Sequence, residues 1–209
     1  KVILFEHQFL SITNNNNLDK ISFFSKLFIN ITYYFAHHLI CVSNYVKFDI
    51  QKLLFFKKKI NVLYNPSYIE ENNILISKNK IDEMWGSNKP LKILSVGSLK
   101  KIKDHETLIN SIHIAIKISK IDVKLIIFGE GVLEKRLKHL IRKLKLEKNI
   151  YIKKFQYDLR IWYLSCDLFI LSSIYEGFAN VIVEAMSFKK KIISTKCGGP
   201  EEILENGKY

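Results

Sequence analysis

Eight short apolar runs recur along the 209-residue chain, at residues 2–5, 39–42, 60–64, 91–96, 123–128, 150–155, 168–171 and 191–194, with segments of helical period between them. Most runs are apolar at successive positions, which a strand buried on both faces of a parallel sheet requires. The segments between them gather their apolar residues on one helical face. Leu108, Ile109, Ile112, Ala115 and Ile116 form one such face, and Leu133, Leu137, Leu140, Ile141 and Leu144 another. Strand, helix, strand, helix predicts an α/β chain built on doubly wound parallel sheet. The pattern weakens at residues 66–90, where asparagine, serine and charge collect. The expected division is therefore 1–90, part of one unit with a linker, and 91–209, a second domain. The four asparagines at 14–17 read as a surface loop.

Parallel strands joined by right-handed crossovers send their C-terminal ends to one edge of the sheet, and ligands of such sheets bind there. In the second domain that edge receives Gly97, Ser98 and Lys103 after the run 91–96, and Gly129-Glu130-Gly131 after 123–128. It also receives the stretch from Ser172 to Asn180 after 168–171, and Gly198-Gly199-Pro200-Glu201 after 191–194. Gly177 permits a tight turn, and Asn180 has the side chain of a helix N-cap. The helix it would open, from Val181 to Met186, turns unpaired N–H groups to the rim, where a diphosphate fits. Glu176 stands just before this helix and Glu184 about one turn inside it. One carboxylate can accept from a ribose diol while the other accepts from sugar hydroxyls, with Lys103 set to neutralise phosphate charge.

The run Glu176-Gly177-Phe178-Ala179-Asn180-Val181-Ile182-Val183-Glu184-Ala185-Met186 resembles the retaining glycosyltransferases of the GT4 family, which have the GT-B fold. Four further segments, taken in order, strengthen the likeness. They are Ser95-Val96-Gly97-Ser98-Leu99 with Lys103-Asp104, Gly129-Glu130-Gly131, residues 167–173, and Gly198-Gly199-Pro200-Glu201-Glu202-Ile203. It is strong over 91–209 and weak before, carried there by His7, Ile40-Cys41-Val42-Ser43 and Asn65-Pro66. The resemblance implies a Rossmann-like donor domain preceded by part of a second Rossmann-like domain, with a nucleotide sugar held in the cleft between them. It implies that Glu184 holds the ribose, Glu176 contacts the donor sugar, Lys103 stabilises the leaving diphosphate, and His7 approaches the sugar from the N-terminal side. It also sets Gly97, Ser98, Gly129, Phe178, Ala179, Asn180 and Val181 against the donor. No metal and no cofactor is implied beyond the nucleotide-sugar substrate. Three positions depart from the family pattern. Ser98 stands where an arginine is usual, Lys189-Lys190-Lys191 replaces a glycine-proline turn, and Gln156 stands where glycine is common. The family's N-terminal glycine-rich loop would lie before Lys1 and its closing helix after Tyr209.

The net charge of +13 is spread as lysines along the chain, which favours phosphorylated ligands or peripheral contact with an anionic membrane. No nucleic-acid signature accompanies it, so nucleic acid is not expected as a partner. Three widely spaced cysteines, Cys41, Cys166 and Cys197, fit neither a disulfide framework nor a zinc site and predict reduced, inert thiols in the cytoplasm. The aromatic stretch 21–42 carries Lys26, Asn30, His37 and His38, too polar for a membrane span. Phe23, Phe24, Phe28, Tyr33, Tyr34 and Phe35 are expected to pack a helix.

Each candidate has an ordinary alternative. The glutamates complement a helix dipole, Lys103 is a surface lysine, His7 is structural, and Gly129 and Gly131 end a strand. The leading reading is transfer of a sugar to a glycan or lipid-linked acceptor in cell-surface polysaccharide synthesis, at the inner membrane face. A catalytically impaired remnant that binds a sugar nucleotide, and an unrelated Rossmann-like binding module, are the competing readings.

Overall fold

The computed structural model describes residues 1–11, 23–67 and 74–208; the asparagine run at 14–17 lies outside them. In chain order the elements are β1 (Ile3–Glu6), α1 (Phe23–Phe35), β2 (His38–Cys41), α2 (Asn44–Leu53), β3 (Ile60–Val62), α3 (Lys78–Trp85), β4 (Leu91–Val96), a 3-10 turn (Lys101–Lys103), α4 (His105–Ser119) and β5 (Val123–Phe128). There follow α5 (Glu134–Lys143), β6 (Ile150–Lys153), α6 (Arg160–Ser165), β7 (Leu168–Leu171), α7 (Asn180–Ser187), β8 (Lys191–Ser194) and α8 (Gly199–Ile203). Every expected apolar run forms a strand. β3 and β6 stop short of the runs that mark them, because Leu63, Tyr64, Lys154 and Phe155 are exposed and have no buried face to extend. The chain sorts into two compact units, one of Lys1–Pro66, Ile174–Asn180 and Lys196–Tyr209, the other of Ser67–Ser173 and Val181–Thr195.

The first unit carries a parallel sheet in the order β1-β2-β3. Leu39 and Cys41 on its central strand are fully buried. α2 starts at Ser43, whose hydroxyl accepts from the N–H of Val46, and buries Val46, Ile50 and Leu53. The ammonium of Lys58 donates to the carbonyls of Tyr33, Tyr34 and Ala36, which closes the negative end of α1. Of the aromatic residues expected to pack α1, Tyr33 is buried, its hydroxyl donating to Glu6 of β1, whereas Phe23, Phe24, Phe28, Tyr34 and Phe35 are exposed; α1 reaches α2 through Asn30, whose amide donates to the Leu53 carbonyl.

The second unit carries a five-stranded parallel sheet in the order β6-β5-β4-β7-β8. Residues 123–128 and 168–171 thus belong to one parallel sheet, as the alternation predicts. Leu108, Ile109 and Ile112 of α4 and Leu137 and Ile141 of α5 are buried in a single core with Ile93, Leu125 and Ile127. Each such side chain contributes roughly 1.5–3 kcal/mol on burial. Trp85 at the end of α3 is buried as well, its indole N–H donating to Ser165 Oγ at 2.8 Å. The order runs outward from β4 in both directions, so the switch in strand order falls between β4 and β7. Among the described residues no helix is long and apolar enough to cross a membrane. All three cysteines are buried and outside any disulfide, and burial pushes the thiol of Cys41 up to about 12 and that of Cys166 to about 11.

Candidate functional site

The second unit places one group of the expected residues at the carboxyl ends of β4 and β5, beside the switch point. Gly97 follows β4, and a Cβ built on it would stand 3.5 Å from Cδ of Lys103 and 3.7 Å from its Cγ and Cε. The stem of Lys103 therefore lies along Gly97 in ordinary van der Waals contact. Lys103 ends the 3-10 turn, and its carbonyl accepts from Ser172 Oγ at 2.8 Å. Ser172 follows β7, so this bond ties together the two strand ends that flank the switch. Asp104 then adopts a left-handed conformation (φ 44°), and its carboxylate accepts from the N–H of Thr107 to start α4. Gly129 has a packing reason for being glycine. A Cβ there would fall 1.9 Å from the carbonyl oxygen of Gly97. Ser98 is half-buried, and its carbonyl accepts from the N–H of Lys100. His105 is 4% exposed, with both ring nitrogens short of hydrogen-bond geometry; burial lowers its pKa, and the backbone of Ser98 and Gly97 partly restores it.

Glu184 stands on α7, whose N-terminal end the topology sends to the same edge of the sheet. Its Oε2 accepts from the Tyr163 hydroxyl at 2.8 Å. Burial raises its carboxyl above the ordinary value, and the tyrosine bond offsets part of that. Tyr163 is itself fully buried, stacked on Phe188 at 5.5 Å, and its phenol is pushed far up by burial and by the Glu184 charge. Sequence reasoning missed Tyr163. The available signal was a phenol inside the apolar run Ile161-Trp162-Tyr163-Leu164, since a buried tyrosine hydroxyl finds a partner. Which partner, 21 residues on, is set only by the fold. Val181, next on α7, is half-buried.

The first unit gathers a second group. A Cβ on Gly177 would stand 2.1 Å from the carbonyl oxygen of His7, so the loop after β1 and the Glu176 loop approach backbone to backbone. The Gly177 carbonyl accepts from Ser43 Oγ at 2.6 Å. The backbone of Glu176 forms a parallel bridge with Gly198, its N–H donating to the Cys197 carbonyl and its carbonyl accepting from Gly199 N–H, each at 2.8 Å. His7 is exposed, with its ring 4.8 Å from that of Phe5. Asp49 accepts from the N–H groups of Leu10 and Ser11 and so anchors the His7 loop. Phe178 stacks on Tyr64 at 5.7 Å.

The N-cap expected at Asn180 is displaced by one position. Ala179 is left-handed (φ 69°), Asn180 is the first residue of α7, and its side-chain oxygen accepts from Asn65 Nδ2 at 3.1 Å. The glutamates of the last motif also find structural partners. Glu201 accepts from the N–H of Gly198, and Glu202 from the N–H and side chain of Asn44 and from the Tyr64 hydroxyl. Among the described residues no group of three His, Cys, Asp or Glu is placed to hold a metal ion.

The family model for glycosyl transferases group 1 matches residues 77–209. A Campylobacter jejuni protein named N-acetylgalactosamine-N,N'-diacetylbacillosaminyl-diphospho-undecaprenol 4-alpha-N-acetylgalactosaminyltransferase is 33% identical over 146 residues, 70% of this chain and 37% of that protein. Among solved structures, TarM of S. aureus superposes with a TM-score of 0.77 at 19% identity, over 99% of this chain and 39% of its own. Anabaena HepE in complex with UDP-glucose superposes with a TM-score of 0.75 at 21% identity, over 95% of this chain and 55% of its own. The two structural likenesses carry the GT-B fold. The chain spans little more than a third of the length of the Campylobacter relative.

Proposed function

The chain belongs to the group 1 glycosyl transferases, and from that premise we propose that it transfers a sugar from a nucleotide-sugar donor to a glycan or lipid-linked acceptor in cell-surface polysaccharide synthesis. The observation that carries the reading is the stem of Lys103 laid along Gly97 beside the β4/β7 switch, with Glu184 on the helix that opens toward the same edge. Glu184, already aligned by Tyr163, accepts from the ribose hydroxyls. When the bond between the sugar and the diphosphate breaks, negative charge grows on the leaving group, and Lys103 with the first N–H groups of α7 stabilises it. For Glu176 and His7, a part in holding the sugar rests on the family resemblance. The reading extends to retention of configuration, as in the GT4 family, and to residues 91–209 as the donor-binding portion, working without metal or cofactor. Peripheral contact with an anionic membrane on the cytoplasmic side would bring a lipid-linked acceptor within reach, and the lysine excess suits it.

A thermal-shift panel of UDP-, GDP-, ADP- and CMP-sugars tests donor binding, since a ligand held by the native state raises its melting temperature. At least one is expected to do so, and a flat response to all four overturns the proposal. For the reaction, Lys103→Ala is expected to lower kcat about a hundredfold, roughly 2.7 kcal/mol of barrier. Radiolabelled sugar transfer in the complete polypeptide checks it, and an unchanged kcat removes the leaving-group role.

A further inference from the structure

Among the described residues the outer face of α1 is apolar and exposed. Phe24 is 81% exposed, Phe28 68%, Ile31 52% and Phe35 70%. Their spacing of four, three and four residues draws one stripe along the helix, with Phe23 and Leu27 beside it. Polar contacts anchor the opposite face, where Asn30 donates to the Leu53 carbonyl and accepts from Phe55 N–H. The stripe is continuous with the turn after α2. Phe56 meets Tyr34 edge-on at 5.6 Å, and the Lys26 ammonium lies 5.1 Å from the centre of the Phe55 ring. A hollow of about 520 Å³ between Gln51, Phe55, Phe56 and Lys57 opens on that turn.

The charge around this surface is mostly positive; Glu6 of β1 reaches α1 on its inner side, where it accepts from the buried Tyr33 hydroxyl. Residues 23–67 contain six lysines and a single acid, Asp49. Asp49 is buried and accepts the N–H groups of Leu10 and Ser11, so it does not offset the lysines. Lys52, Lys57 and Lys59 are exposed. Aromatic and aliphatic residues edged by lysine, on a helix without acids, match the surface of an anionic bilayer. The core of a protein interface is instead depleted of lysine. At 13 residues α1 is about 20 Å long, short of the hydrocarbon core, so it suits lying in the interface.

We propose that α1 and the 55–59 turn dock on an anionic phospholipid surface, with Phe24, Phe28, Ile31 and Phe35 entering the headgroup layer and Lys57 and Lys59 meeting lipid phosphates. The proposal rests on the membrane-contact part of the reading above and is independent of sugar transfer.

The test is sedimentation of the chain with phosphatidylcholine vesicles, with and without phosphatidylglycerol, in the absence of donor. The parent chain is expected to bind the anionic vesicles, and to bind neutral ones or high-salt samples more weakly. The double substitution Phe24→Glu, Phe28→Glu should cut binding at least tenfold. Lys57→Glu with Lys59→Glu should remove most of the preference for anionic lipid. All four positions are exposed, and circular dichroism and the melting temperature are expected to be unchanged. Parent binding that survives both double substitutions overturns the assignment of this face and leaves membrane contact standing. A parent that binds no vesicle overturns membrane contact itself. A parent that dimerises through α1 and ignores lipid, with the phenylalanine substitutions restoring the monomer, makes the occupant a second copy and also overturns the proposal.

Discussion

Glu184 titrates outside the usual range because it is partly withdrawn from water, and that has a consequence for binding. An ionised carboxylate accepts from a ribose diol, whereas the protonated acid has lost part of that capacity. Its raised pKa means that donor affinity should fall as pH drops, beginning above the ordinary value near 4.3. Stability follows the opposite sign. Between the ordinary pKa and the raised one the native state holds more protons than the unfolded chain, so stability declines as pH rises through that window. Glu184→Gln is expected to flatten both profiles, leaving only the titration of the diphosphate itself in the affinity curve. Calorimetric titrations and melting curves from acid to neutral pH check this, and parallel profiles for parent and variant would remove Glu184 from the donor. Tyr163 was illegible beforehand for the reason that matters here. Its chemistry was visible in the sequence, but its pairing with Glu184 depends on how α6 and α7 lie across the sheet.

At the scale of elements, the strands and the inner helical faces were legible because burial writes itself into apolar periodicity. β4, β5, β7 and β8 coincide with their runs, and α4 and α5 bury Leu108, Ile109, Leu137 and Ile141 as expected. The outer face of α1 was not legible, since an aromatic stripe reads alike whether protein or another medium covers it. Close backbone approaches were hidden too, because a glycine in sequence does not name its neighbour. Gly129→Ala and Gly177→Ala each force a methyl group onto a carbonyl oxygen, 1.9 Å and 2.1 Å away. Each is expected to cost about 1–3 kcal/mol, the range for overpacking a close-packed site. Urea midpoints check this, and a variant as stable as the parent would show the strand ends able to part freely. The tail of α7 offers the reverse case. Lys189 is left-handed (φ 53°), a conformation that glycine adopts without steric cost. Lys189→Gly should relieve about 1–2 kcal/mol of backbone strain, less the roughly 0.4–1 kcal/mol by which glycine loosens the unfolded chain. The urea midpoint is expected to rise slightly, and a fall would mean that the Lys189 side chain contributes more than its backbone costs.

For the molecule as a whole, sequence order and spatial grouping part company. The Glu176 loop and the last fourteen residues, Lys196–Tyr209, group with the first unit, whereas Glu184, eight residues after Glu176, belongs to the second. The spacing of the two glutamates identified the family but not this partition, which arises from contacts such as Ser43 with Gly177 and Asn44 with Glu202, 134 and 158 residues apart in sequence. Each unit thereby presents its own set of groups. The second, with Gly97, Lys103 and Glu184, is the set proposed to hold the nucleotide. The most direct measurement is isothermal titration of UDP, GDP, ADP and CMP into the parent chain and into Glu184→Ala. At least one nucleotide is expected to bind the parent, and the substitution to weaken it by about 1–3 kcal/mol, the range for a lost hydrogen bond to a charged group, with the fold intact by circular dichroism. Equal affinity in parent and variant, or no binding by the parent to any of the four, would contradict it.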